Sequence, residues 1–173
     1  MQIMSGYRQW LWAIMLAASG AVAADNSNGF GKINMRGVVI DAPCSLAPES
    51  ASLEVDFGQL SSAALRNGRE SQSEEFVLIL QRCSSMLKNQ VRVTFQGTAY
   101  SDGLFAVGSG NESIGLVLRD RNGQSVLNNQ PVAWQRINDG DNKLVFSAAV
   151  KGRAATIDTG NFQAQVLFLV EYN

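Results

Sequence analysis

From residue 164 to residue 172, apolar side chains alternate with others: Ala164, Val166, Phe168, Val170 and Tyr172 share one parity. Period two is the pattern of a β-strand with one face against a core. It recurs at Ile33 and Met35, at Leu53, Val55 and Phe57, at Val91, Val93 and Phe95, and at Ile114, Leu116 and Leu118. "EFVLILQRC" is instead a short continuous apolar run, suited to a strand buried on both faces, and "KLVFSAAV" completes the series. Between them lie turn clusters such as "APES", "RNGRES", "GSGNES", "DRNGQ" and "NDGDN". Asn67-Gly68 and Asn122-Gly123 are dipeptides that supply the positive φ angles of tight turns. No stretch carries a sustained helical period, although "SSAALRNG" is long enough for one helical turn. About seven short strands separated by turns predict an all-β antiparallel sandwich, with a small closed barrel as the alternative.

The N-terminus changes the domain count. Arg8 precedes the apolar run Trp10 to Ala18, and Ala21-Val22-Ala23 is a small-x-small cleavage site, so residues 1–23 read as a secretory signal peptide. The apolar run is too short for a membrane span, and no direct membrane insertion is expected. The rest of the 173-residue chain suits one domain. Losing Arg8 leaves thirteen basic against fifteen acidic residues, a balance that excludes a nucleic-acid surface. Export to an oxidising compartment makes a Cys44–Cys83 bridge the expected state, rather than two buried free thiols.

Catalytic chemistry finds no foothold. Histidine is absent, which removes Ser-His and Cys-His machinery and the commonest zinc ligand. The cysteines lie too far apart for a metal-binding turn, so no catalytic residue, metal or cofactor is assigned. A carboxylate pair such as Glu74 with Asp120 is not selected by spacing. The sequon at Asn111-Glu112-Ser113 is common by chance.

The order of segments is more informative. "GVVIDAPCSL", "VTFQGTA", "GLVLRDRNGQ", "LVFSAAVKG" and "GNFQAQVLFLVEYN" resemble, in sequence order, the segments of pilus subunits assembled by the chaperone–usher pathway. Gly160 stands fourteenth from the end and Tyr172 is penultimate, as in that family's terminal motif. The resemblance implies an incomplete immunoglobulin-like sandwich lacking its final strand, with the pilin domain at 37–173 and a donor-strand extension at 24–36. It further implies a periplasmic chaperone that lends a strand, an outer-membrane usher, and neighbouring pilus subunits that replace the chaperone. The chaperone-facing residues would be Phe168, Val170, Tyr172 and the carboxylate of Asn173.

In the donor segment, Gly31, Ile33 and Met35 share a face. Gly31 matches a glycine the family uses where the donor meets a crowded point of the groove, and Ile33 and Met35 would fill pockets in the neighbour. Gly29 shares their phase, whereas Phe30 falls on the opposite face and departs from the family pattern. The expected function is therefore a structural, minor subunit of an adhesive fimbrium on a Gram-negative cell surface, exported through the periplasm. The competing expectation is a secreted monomeric sandwich that binds carbohydrate or another ligand, with a closed core and a surface aromatic cluster.

Overall fold

In the computed structural model, residues 32–37, 42–86, 88–108 and 110–173 are described. The chain divides into two units, Met1–Val38 and Val39–Asn173. Of the first, residues 32–37 carry no regular structure and every one is exposed. The signal segment, Gly29, Phe30, Gly31 and the "VVI" run at 38–40 lie outside the described residues.

Among the described residues of the second unit there are nine strands: β1 (Ser45–Leu46), β2 (Glu74–Cys83), β3 (Gln90–Gln96), β4 (Phe105–Ala106), β5 (Ile114–Asp120), β6 (Ser125–Val126), β7 (Gln135–Arg136), β8 (Gly140–Gly152) and β9 (Leu167–Tyr172). They form two antiparallel sheets. The larger runs β1-β2-β8-β5-β4, with β6 also on β5, and the smaller runs β7-β3-β9. Two stacked sheets replace the closed-barrel alternative. Among the described residues, helix is confined to the single turn α1 (Ser62–Leu65), a 3-10 turn at Pro48–Ser50 and another at Arg66–Gly68. Both residues of Asn67-Gly68 take positive φ, at 60° and 76°, whereas at Asn122-Gly123 only the glycine does, at 77°. There Asp120 Oδ1 does the rest, accepting from the N–H groups of Asn122 and Gln124, each at 2.9 Å.

The core fills by alternation. Leu78 and Leu80 of β2, Val91 and Val93 of β3, Phe105, Phe146 and Val150 are among its most deeply buried side chains. Contrary to the expectation for "EFVLILQRC", Val77 and Ile79 are only half-buried: the outer face of β2 meets solvent, as in a two-layer fold. The strand buried on both faces is β5, from Ile114 to Leu118. Cys44 and Cys83 form the expected bridge across 39 positions of sequence, tying the β1 end to the end of β2. At the far end of β8, a Cβ on Gly152 would overlap the backbone carbonyl of Leu65, so glycine lets the α1 turn sit directly on the strand.

Candidate functional site: an open groove beside the last strand

Strand β9 is paired on one side only. Its register with β3 runs from Val91↔Tyr172 to Gln96↔Leu167, and among the described residues no strand pairs with its other edge. Asn173 and Gln90 exchange two backbone hydrogen bonds, at 3.0 and 3.1 Å, and thereby set the phase of the ladder. In an antiparallel pair, hydrogen-bonded and non-hydrogen-bonded positions alternate. Glu171, Leu169 and Leu167 therefore face β3 with their main-chain groups. Tyr172, Val170 and Phe168 aim theirs at the open edge. These are the residues whose side chains, all half-buried, pack against the core. One alternation thus presents both an apolar row and a row of backbone donors and acceptors to the same opening.

The strand is shorter than its sequence pattern. Pairing stops at Leu167: Thr98, the next residue beyond β3 whose main chain is in phase to face β9, instead accepts from the N–H of Ala106 at 2.8 Å. Ala164 is accordingly exposed and outside the strand. Residues 163–165 continue past the pairing and border a cavity of about 830 Å3, lined also by Thr98, Ala106 and Val107.

The second wall comes from residues 53–60. "SLEVDFG" reads as a strand, yet it joins no ladder. Its alternation survives in burial only at Val55 and Phe57, half-buried against the core between exposed Glu54, Asp56 and Gly58; Leu53, expected on the same face, is exposed, and the half-buried Leu60 lies off that parity. The walls touch where Phe57 and Phe162 stand with ring centroids 6.2 Å apart. Deeper in, Phe95 meets Phe168 at 6.5 Å and Phe76 at 6.3 Å. Leu60 and Phe162 were not singled out by sequence, although Phe162 has the parity of Val166 and Phe168 and was legible on that signal.

Electrostatics sits on the outer face of the smaller sheet. Arg92 Nε and Nη2 donate to Glu171 at 3.1 and 3.2 Å, and the Arg92 guanidinium lies 4.5 Å from the Trp134 ring centre. The hydrogen bonds from Arg92 hold the Glu171 carboxyl below its ordinary value. Burial pushes the Tyr172 phenol up.

The remaining predicted residues are dispersed as follows. Ile33 and Met35 are 80% and 85% exposed, so neither fills a pocket of its own chain. Asn173 offers its carbonyl oxygen to the N–H groups of Asn89 and Gln90. The aromatic residues outside the groove form no cluster for a sugar platform: Trp134 is stacked by Arg92, Tyr100 by Arg153 at 3.6 Å, and Phe105 is core at 1% exposure. Asn111 of the sequon accepts from the Ser113 hydroxyl at 2.6 Å and donates to the Asp158 carbonyl at 3.1 Å, a loop tie.

Comparison with known proteins gives consistent matches. The family described as "Fimbrial protein" matches residues 33–173. The chain is 36% identical over 160 residues to "Fimbria A protein" of Serratia marcescens, covering 90% of each chain. It is 32% identical over 163 residues to "Major MR/P fimbria protein" of Proteus mirabilis (strain HI4320), covering 92% of each. Among solved structures, the P pilus rod subunit PapA superposes with a TM-score of 0.70 at 26% identity, covering 76% of this chain and all (100%) of that one. A chaperone–usher pilus subunit superposes at 0.72 with 28% identity, covering 84% and 97%.

Proposed function

Because the chain belongs to the fimbrial protein family, a family of structural subunits and not enzymes, we propose that its open groove is completed by a strand from another molecule as the pilus assembles. The observation that carries this reading is the outer edge of β9, where Phe168, Val170 and Tyr172 offer main-chain groups beside half-buried side chains. An edge in this state is an aggregation hazard when bare. An added strand supplies backbone hydrogen bonds for affinity and alternating side chains for specificity. The donors are first a periplasmic chaperone, then the segment 24–36 of the next subunit, exchanged at an outer-membrane usher. Burying Ile33 and Met35 contributes about 3–6 kcal/mol before ordering costs, so main-chain pairing supplies much of the rest.

Sequence alone suggested a minor subunit. The relatives named above include a major fimbrial protein and a rod subunit, and we adopt a position in the fibre shaft, extracellular on a Gram-negative surface. The test is truncation before Arg36. The shortened chain should still co-purify with its chaperone and should never occupy the donating position in fibres. Its incorporation there would refute the donor assignment.

A further inference from the structure

We propose that Met35 is a modification site: a hydroperoxide converts its thioether to the sulfoxide in the unassembled subunit, and the oxidised subunit no longer donates its strand. The inference rests on the strand-donation reading above and goes beyond it in naming a residue, a class of reagent and a regulated state.

The mature chain carries few oxidisable sulfurs. Of the five methionines, Met1, Met4 and Met15 fall in the signal segment, which leaves Met35 and Met86. Both cysteines are held in the Cys44–Cys83 bridge, and among the described residues no thiol is free. The two thioethers are 85% and 92% exposed, which opens both to a small oxidant. They differ in place. Met86 lies between β2 and β3, outside both walls of the groove. Met35 lies in the donor segment, whose surroundings change as the fibre grows.

That change gives its oxidation state a consequence. When Ile33 and Met35 point into a groove, period two turns Lys32, Asn34 and Arg36 outward. The in-phase positions before them, Gly31 and Gly29, bring no side chain, so Met35 is one of two large inward apolar groups. A thioether suits that task, being apolar and on an unbranched stem that adapts to irregular gaps. A sulfoxide carries an oxygen that accepts hydrogen bonds, and the side chains of Phe95, Phe168 and Val170 beside the groove have none to give. Burying that oxygen unpaired should weaken donation about tenfold or more.

The chemistry needs only the peroxide. The sulfur lone pair attacks one peroxide oxygen, and the S–O bond forms as the O–O bond breaks. The departing oxygen takes the proton and leaves as water. Sulfur loses two electrons and the peroxide gains them. While a chaperone strand fills the groove, the subunit's own segment stays outside and its sulfur is open to attack. Once donated, the segment is covered by the neighbour. Peroxide thus halts new growth and spares fibre already built.

The test treats the full-length mature chain, bound to its chaperone, with hydrogen peroxide. Oxidation at each methionine is read by peptide mass spectrometry, and donation is read as fibre growth. Oxidised wild type and Met86→Leu should grow about tenfold more slowly than untreated chain. Met35→Leu in the same complex should be insensitive, which also controls for damage to the chaperone. In assembled fibres, Met86 should oxidise as in the subunit, whereas Met35 should be protected about tenfold or more. Growth of oxidised wild type at the untreated rate would overturn the proposal, as would equal inhibition of Met35→Leu. If Met35 is protected in fibres yet its sulfoxide donates normally, donation stands and the oxidation effect is overturned. If Met35 oxidises as fast in fibres as in free subunits, no groove covers it and both readings fall.

Discussion

Phe57 and Phe162 contact each other with their rings tilted by 36°, and through this contact the two walls of the groove are joined at one end. Neither residue lies in a strand, so the joint depends on side-chain packing and not on a hydrogen-bonded ladder. Phe162→Ala should lower the stability of the subunit in its chaperone complex by about 1–2 kcal/mol, less than for a ring wholly in the core. Thermal unfolding of the purified complex checks this; an unchanged midpoint would show that the rings do not hold the walls.

Tyr172→Ala removes the last inward side chain of β9, one that packs against the core without being sealed in it. Capture by the chaperone should weaken several-fold, read as a lower yield of complex from periplasm at equal expression. Equal recovery would reject the role.

Cys44→Ser opens the only disulfide among the described residues, at a cost of about 4 kcal/mol in the chain-entropy view. The denaturant midpoint should fall to that of reduced wild type, and reductant should have no further effect on the variant. Coincident midpoints for oxidised wild type and variant would contradict this.

Glu70 bridges two strands. Burial works against its charge, but hydrogen bonds from Arg119, at 2.6 Å, and Lys151, at 3.2 Å, outweigh it and hold the carboxyl below its ordinary value. Its contribution is therefore complete above the unfolded glutamate pKa, near 4.5, and is lost as pH falls through the lower folded value. Glu70→Gln should flatten the acid limb of stability, measured as denaturant midpoints between pH 6 and about pH 3. An acid limb as steep as wild type would place the loss elsewhere.

Gly152→Ala drives a Cβ into the Leu65 carbonyl, and backbone cannot swing away as a flexible side chain can. Destabilisation of about 1–3 kcal/mol or more is expected. Unfolding of the chaperone-bound chain is the measurement, and a variant as stable as wild type would mean that α1 shifts freely.

Much of this was legible before any coordinates. Alternation placed β3 and the inward row of β9, because a sheet with one face on a core imposes period two wherever it is regular; it placed β5 as well, although both faces of that strand are buried. The cysteine pair and the Asn67 turn followed from chemistry with few alternatives. The sequence misled where partners decide. Residues 53–57 alternate like any strand, but strand assignment requires a hydrogen-bonded neighbour, and period two cannot say whether one is present. Likewise Ala164 and Val166 keep the pattern of β9 beyond Leu167, where the Thr98 carbonyl has already gone to the N–H of Ala106. Val77 and Ile79 looked like core because hydrophobicity alone does not distinguish an outer sheet face from a second packed layer.

The shared phase of side chain and main chain along β9 has one more implication, for fidelity. A guest strand displaced by a single residue would turn its apolar side chains outward and bring its basic ones over the aromatic floor. Errors of threading are then restricted to jumps of two residues, roughly 6.5–6.8 Å, each of which forfeits an entire pair of contacts. Such a seam is quantised: it discards a near miss outright, and a fibre built from it keeps count of its own spacing.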